Sequence, residues 1–145
     1  MRRLGLFFIV SLLALPSPAL AQDDTAQQAA EGFIAALNVR DFQGMAEFFS
    51  PDAKGQLLTP VGLTEATGGA EVGEGFRAFF GGASSFGIAT SEIEPVGTKL
   101  HLFYKFRVVF EDQAYHGEQH VYVGLEDGLI ASIDMLCSGI FPVEG

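Results

Sequence analysis

The residues of this chain with the means to do chemistry are gathered in its last third. Asp134 stands between Ile133 and Met135, and a carboxylate held among apolar neighbours is the type of group that takes up a carbon-bound proton as a general base. Tyr104, Tyr115 and Gln119 carry hydrogen-bonding tips on otherwise apolar strands, and with Phe106 they could orient a small ligand by its oxygen. His116 and His120 bracket Gly117-Glu118-Gln119. Four residues of extended chain put them roughly 13 Å apart, too far to share one ion, so no metal site is expected. No cofactor is expected either, because no phosphate-cradling glycine loop, cysteine pair or Ser-His-Asp order is present. Cys137 is the single cysteine. Between Leu136 and Ser138 in a strand, it reads as a buried, inert thiol.

Alternating patterns place these side chains. Strands are expected over Gly87–Val96, Lys99–Glu111, Ala114–Leu125 and Leu129–Ser138. In the second, Leu100, Leu102, Tyr104, Phe106, Val108 and Phe110 share one face, while Lys99, His101, Lys105 and Arg107 share the other. A two-residue Asp112-Gln113 turn would set Glu111 opposite Ala114, Arg107 opposite Glu118, Phe103 opposite Tyr122 and Phe110 opposite Tyr115. The next turn, Glu126-Asp127-Gly128, permits two registers. A three-residue loop pairs Leu125 with Leu129 and turns Leu129, Ala131, Ile133, Met135 and Cys137 inward, leaving Asp134 outside beside His120. A two-residue Asp127-Gly128 turn slips the strand by one and brings Asp134 inside. The first is preferred, because it buries the more uniformly apolar set.

The preceding half is helical. A capping box at Thr25–Gln28 opens a helix whose stripe is Ala26, Ala29, Ala30, Phe33, Ile34 and Leu37. Asp41 caps a second, shorter helix with Phe42, Met45, Ala46 and Phe49 on its buried side, ended by Ser50-Pro51-Asp52. Lys54–Leu58 makes a short strand, Thr59–Gly69 an irregular loop, and Ala70–Phe80 a third helix stopped by Gly81-Gly82.

Met1–Ala21 has the form of a secretory leader: Arg2 and Arg3, an apolar run over Leu4–Leu15, Pro16 and Pro18, then Ala19-Leu20-Ala21 as a cleavage site. That run is about half a bilayer span, so no stable membrane insertion is expected after cleavage. Residues 22–145 then form a single domain, exported to the periplasm or the extracellular space. The whole chain has a formal net charge of −10, and loss of Arg2 and Arg3 makes the remainder more acidic still. Its basic residues, Arg40, Lys54, Arg77, Lys99, Lys105 and Arg107, are scattered, which argues against a nucleic-acid partner.

Phe33-Ile34-Ala35-Ala36-Leu37 followed by Asp41, Phe48-Phe49-Ser50-Pro51-Asp52-Ala53, Gly75-Phe76-Arg77-Ala78-Phe79-Phe80 and Asp127-Gly128-Leu129-Ile130 occur in an order that resembles the nuclear-transport-factor-two-like superfamily, SnoaL-like branch. The resemblance covers about Asp24–Gly139. It implies an α+β fold in which a cone-shaped, curved antiparallel sheet packs on three N-terminal helices and encloses an apolar pocket. This fold hosts enzymes, binders and docking modules alike. In the ketosteroid isomerases a general-base aspartate precedes a Pro-Val-Gly-like segment, and here Thr59 precedes Pro60-Val61-Gly62. Threonine cannot take a carbon-bound proton at neutral pH. The SnoaL-like enzymes often carry a pocket acid on a late strand, a position Asp134 would match only if it faces inward.

The reading is therefore an exported protein that binds a small hydrophobic molecule. One alternative is a cyclase or isomerase with Asp134 as base and Tyr104 as donor; another is an interaction module acting through the outer sheet face, on itself as a homodimer or on a partner. The exported form should begin at Gln22, which its intact mass checks; a product retaining Leu4–Leu15 would overturn the assignment.

Overall fold

The computed structural model describes residues 18–144, with side chains from Asp24 onward. The expected leader lies outside the described residues as far as Ser17, as do the side chains at its cleavage site. Helix α1 spans Pro18–Asn38. Thr25 thus sits inside the helix, not at its start as the capping box implies. The apolar stripe is as expected, with Ala29, Ala30, Phe33, Ile34 and Leu37 all buried.

The expected second helix is only a 3-10 turn, Gly44–Phe48. Asp41 does accept a hydrogen bond from the Gly44 amide at 2.8 Å, but Pro51 disfavours helical geometry at Ser50, and the chain is already extended at Phe49. Strand β1, Phe49–Thr59, is consequently longer than the sequence implies. It turns back through Pro60-Val61 into β2, Gly62–Thr67, where a loop was expected. Only Ala66 of β2 is buried, so this edge strand lacks the apolar alternation by which strands are recognised. Helix α2 follows over Gly68–Phe80. Two α-helices and a 3-10 turn thus replace the three N-terminal helices, and α2 comes after a hairpin.

Helix α2 lies against the 3-10 turn through glycines one turn apart. A Cβ on Gly73 would come within 2.1 Å of the Phe42 carbonyl oxygen, and one on Gly69 within 2.7 Å of the Ala46 Cα. With no side chains there, Val72, Phe76 and Phe80 reach the core.

The meander comprises β3 (Ser85–Val96), β4 (Lys99–Phe110), β5 (Gln113–Glu126) and β6 (Leu129–Pro142). The sheet order is β2-β1-β6-β5-β4-β3. β1 runs parallel to β6, so the sheet is mixed, not wholly antiparallel. A parallel neighbour requires a long crossover, which the intervening chain provides.

Both expected registers are corrected. β4 and β5 join through Glu111-Asp112, with Phe110 opposite Gln113. Both turn residues have positive φ, 48° and 68°, as a tight hairpin of this type demands, and aspartate tolerates that geometry better than Gln113 would. The shift is two residues, so the inner and outer faces are unchanged. Lys105, not Arg107, now meets Glu118, and Phe103 meets His120. β5 and β6 join through the two-residue turn Asp127-Gly128, φ 51° and 80°, the register not preferred. An irregularity between Gly124 and Leu125 then restores the inward phase of Ile133, Met135 and Cys137. Ile130 replaces Leu129 and Ala131 as the buried residue beside the turn.

The core holds two edge-to-face aromatic groups. Phe33 meets Phe76 at 5.6 Å and Phe49 at 6.0 Å; Phe80 meets Phe106 at 5.2 Å. Phe33→Ala and Phe106→Ala should each destabilise the domain by about 3–5 kcal/mol, because each removes a ring from a filled core. Chemical denaturation measures this, and losses below about 1 kcal/mol at both sites would contradict the packing.

Candidate functional site

The inner face of the sheet carries one polar row. Ser91 on β3 pairs with Tyr104 on β4, Tyr104 with Gln119 on β5, and Gln119 with Cys137 on β6. Tyr104 and Gln119 are both 0% exposed, and Gln119 is the sole buried polar or charged residue among the described residues outside the apolar core. The Tyr104 hydroxyl donates to Gln119 Oε1. Among the described residues, Gln119 Nε2 has no hydrogen-bond partner. Phe106 lies beside the row, 2% exposed, its ring occupying the space left by Gly117, where a Cβ would stand 2.5 Å from it. Cys137 is buried, with Sγ 3.9 Å from the Gly139 carbonyl oxygen.

Tyr115 shares the inner face but lies farther along β5, opposite Val108, with its ring 6.2 Å from that of Phe110. Of the four expected binding residues, the fold thus gathers Tyr104, Gln119 and Phe106 and leaves Tyr115 at the end of the strand.

A hollow of about 260 Å³ opens between α1 and β3, with Glu31, Ile34 and Ala35 on the helix and Ile88, Ser91 and Ile93 on the strand. Asn38 fixes its end, accepting the Ile88 amide at 2.8 Å. Ser91 places the hollow at the outer end of the polar row. The sequence reading missed both, because β3 contains an irregularity between Ile88 and Thr90 that shifts its alternation by one. The signal was present: Ile88 and Ile93 are five apart, an odd interval that can share a face only across a bulge.

Asp134 is on the outer face. It lies opposite Tyr122 and accepts a hydrogen bond from Lys99 Nζ at 2.8 Å, which reaches it across Gly124, the β5 partner of Lys99. The pair is about half-exposed, 41% and 49%. His120, expected beside Asp134, instead makes a 2.9 Å contact through Nδ1 with Nε2 of His101, and His101 stacks on Tyr122. His116 lies near Phe141. Among the described residues, no three His, Cys, Asp or Glu side chains come together to hold a metal ion. Thr59, which precedes Pro60-Val61-Gly62, donates its hydroxyl to the Gly62 carbonyl in the β1–β2 turn at 3.2 Å.

No family model matches this sequence, and no curated protein does. The folded chain is similar to solved structures. An NTF2-like protein from Anabaena variabilis has a TM-score of 0.70 at 13% identity, over 86% of this chain and 95% of that one. The chain has the NTF2-like fold. A protein with a ketosteroid isomerase-like fold from Catenulispora acidiphila, in complex with trimethylamine, has a TM-score of 0.65 at 9% identity, over 75% and 84%. An LEH-like epoxide hydrolase of M. tuberculosis has a TM-score of 0.60 at 18% identity, over 79% and 84%. At these identities the similarity shows the fold alone. No helix among the described residues is long and apolar enough to cross a membrane.

Burial, and to a lesser degree the neighbouring Cys137, holds the Tyr104 hydroxyl well above the ordinary tyrosine value of 10.0. Its pKa is therefore higher in the folded state than in the unfolded chain. The stability associated with it is fully present below the ordinary value and is lost as the pH climbs toward the native one. Denaturation curves taken from about pH 9 upward should show this decline. In Tyr104→Phe the decline should flatten, on top of a pH-independent loss from the unpaired Gln119 carbonyl oxygen; an unchanged slope would contradict the burial of the hydroxyl.

Proposed function

We propose that this protein binds a small hydrophobic molecule against the inner face of its sheet, entering between α1 and β3, and that it does so as an exported protein of the periplasm or extracellular space. The observation that carries the reading is the position of Asp134. A base for proton transfer must reach the substrate, and this carboxylate is outside, paired with Lys99. The described inner face offers Tyr104 and Gln119 in an apolar surround. Those groups can orient an oxygen but supply no base, and the carboxylate that borders the hollow, Glu31, is exposed on α1 and accepts a hydrogen bond from Gln27 Nε2 at 2.8 Å, which favours binding over the cyclase or isomerase alternative.

The outer face supports a second reading. Leu58, Leu63, Tyr122 and Leu136 are exposed there, at 43%, 57%, 38% and 49%, around a groove of about 320 Å³ that Asp134 also borders. Exposed apolar side chains in contact with one another mark a docking surface, here for a second copy of the chain or another exported protein.

An environment-sensitive apolar dye distinguishes the inner site. Ile93→Glu, which sets a charge in the hollow, should weaken dye binding by about tenfold or more. Asp134→Asn should change it by less than about 0.5 kcal/mol, as surface substitutions do. The reverse pattern would overturn the inner-face assignment. A substrate whose turnover collapses in Asp134→Asn while its affinity holds would establish the enzyme instead.

A further inference from the structure

The polar row leaves one buried group without a partner. Gln119 Nε2 is a two-hydrogen donor on a side chain that is 0% exposed, and among the described residues nothing accepts from it. A buried donor with no acceptor forfeits the hydrogen bonds it made to water in the unfolded chain, so a native protein rarely keeps one without a use. The oxygen of this amide is already engaged. Tyr104 donates to Oε1, and burial keeps the Tyr104 hydroxyl protonated and able to do so. The amide therefore presents its N–H groups, and only an acceptor can complete it.

The charges around the site narrow the acceptor. Lys99, Lys105 and Arg107 are on the outer face of β4, and Lys99 and Lys105 are there paired with Asp134 and Glu118. Arg40 Nη1 donates to the Ala83 carbonyl oxygen at 2.5 Å. No charged residue is among the buried ones described. A carboxylate brought to Gln119 would be an unpaired buried anion, a far larger penalty than one hydrogen bond repays. A neutral carbonyl oxygen has no such penalty.

We propose that the molecule bound at the inner face is a neutral, largely apolar carbonyl compound whose oxygen accepts from Gln119 Nε2. The inference rests on the inner-face binding reading and specifies its ligand class. Ser91, at the hollow, is two strands from Gln119, roughly 10 Å at ordinary strand spacing. A ligand of that length lies along the row with its carbonyl inward and its apolar body against Ile34, Ile88 and Ile93. Tyr104 and Gln119 are wholly buried, so occupancy requires the seam between α1 and β3 to part.

The test uses a matched set of probes on the full chain: α-tetralone, its hydrocarbon tetralin, and a carboxylic acid on the same skeleton, titrated by calorimetry. The ketone should bind about tenfold more tightly than the hydrocarbon, the worth of one well-made hydrogen bond, and the acid more weakly than the ketone at neutral pH. In the double variant Tyr104→Phe/Gln119→Leu, which leaves neither polar atom alone, ketone and hydrocarbon should bind alike with the hydrocarbon's affinity retained. Should that variant not fold, the Gln119 side-chain amide resonances in the unaltered protein serve as the readout: the ketone should move them downfield, as a new hydrogen bond to Nε2 does, beyond the ring-current shift that tetralin produces. Equal binding of ketone and hydrocarbon to the unaltered protein would overturn the carbonyl assignment while leaving the inner-face site intact. Binding of neither probe would overturn both. A preference for the acid, or a ketone preference that survives in the double variant, would refute the role given to Gln119.

Discussion

Edge-to-face packing of phenylalanines between the helices and the sheet is the interaction on which the other features rest. Phe33 contacts Phe49 and Phe76 on one side of the core, and Phe80 contacts Phe86 and Phe106 on the other. With a single cysteine, no disulfide within the chain can substitute for that packing. Aromatic rings contribute beyond their buried area only when they approach closely and at an angle. The close approach comes from residues with no side chain: Gly69 and Gly73 bring α2 onto the 3-10 turn, and Gly117 gives room to Phe106. The phenylalanines supply the driving force, and the glycines set the distances.

That packing also sorts the polar groups. Once the apolar face of β4 is committed to the core, alternation sends Lys99, His101, Lys105 and Arg107 to the opposite face and carries Tyr104 inward. β5 and β6 must present matching faces, and bulges beside Gly117 and Gly124 adjust the phase where the turns alone would not. The consequence for chemistry is direct. The acid of β6, Asp134, is delivered to solvent and to Lys99, whereas an amide and a phenol are delivered to the interior. The phase of one strand thereby sets which polar groups the interior holds and which face solvent.

The two faces offer different chemistry. The inner face has few polar groups, each placed against another, which suits a small molecule held by shape and one or two hydrogen bonds. The outer face combines aromatic stacking of His101, His120 and Tyr122 with exposed leucines near β1 and β2, which suits a larger partner. Structural similarity to NTF2-like proteins is compatible with either, since function on such a fold resides in the site and not in the scaffold.

Much of this was determined by sequence alone, wherever a long periodic pattern met a single buried face. The α1 stripe, the third helix, the four meander strands and the inward placement of Tyr104, Phe106 and Gln119 follow from periods of 3.6 and 2, because burying the wrong face would expose every apolar residue at once. Tertiary structure decided what depends on one residue or on distant chain. The 3-10 turn in place of a helix reflects Pro51 acting on Ser50, a local veto on an otherwise helical pattern. β2 forms because β1 offers it an edge, although its own residues barely alternate. The orientation of Asp134 required both the tight Asp127-Gly128 turn and the compensating bulge at Gly124, two shifts of opposite effect that periodicity cannot separate. The parallel contact of β1 with β6, the hollow between α1 and β3 and the unpaired amide of Gln119 join residues far apart in sequence, and only the packed chain brings them together.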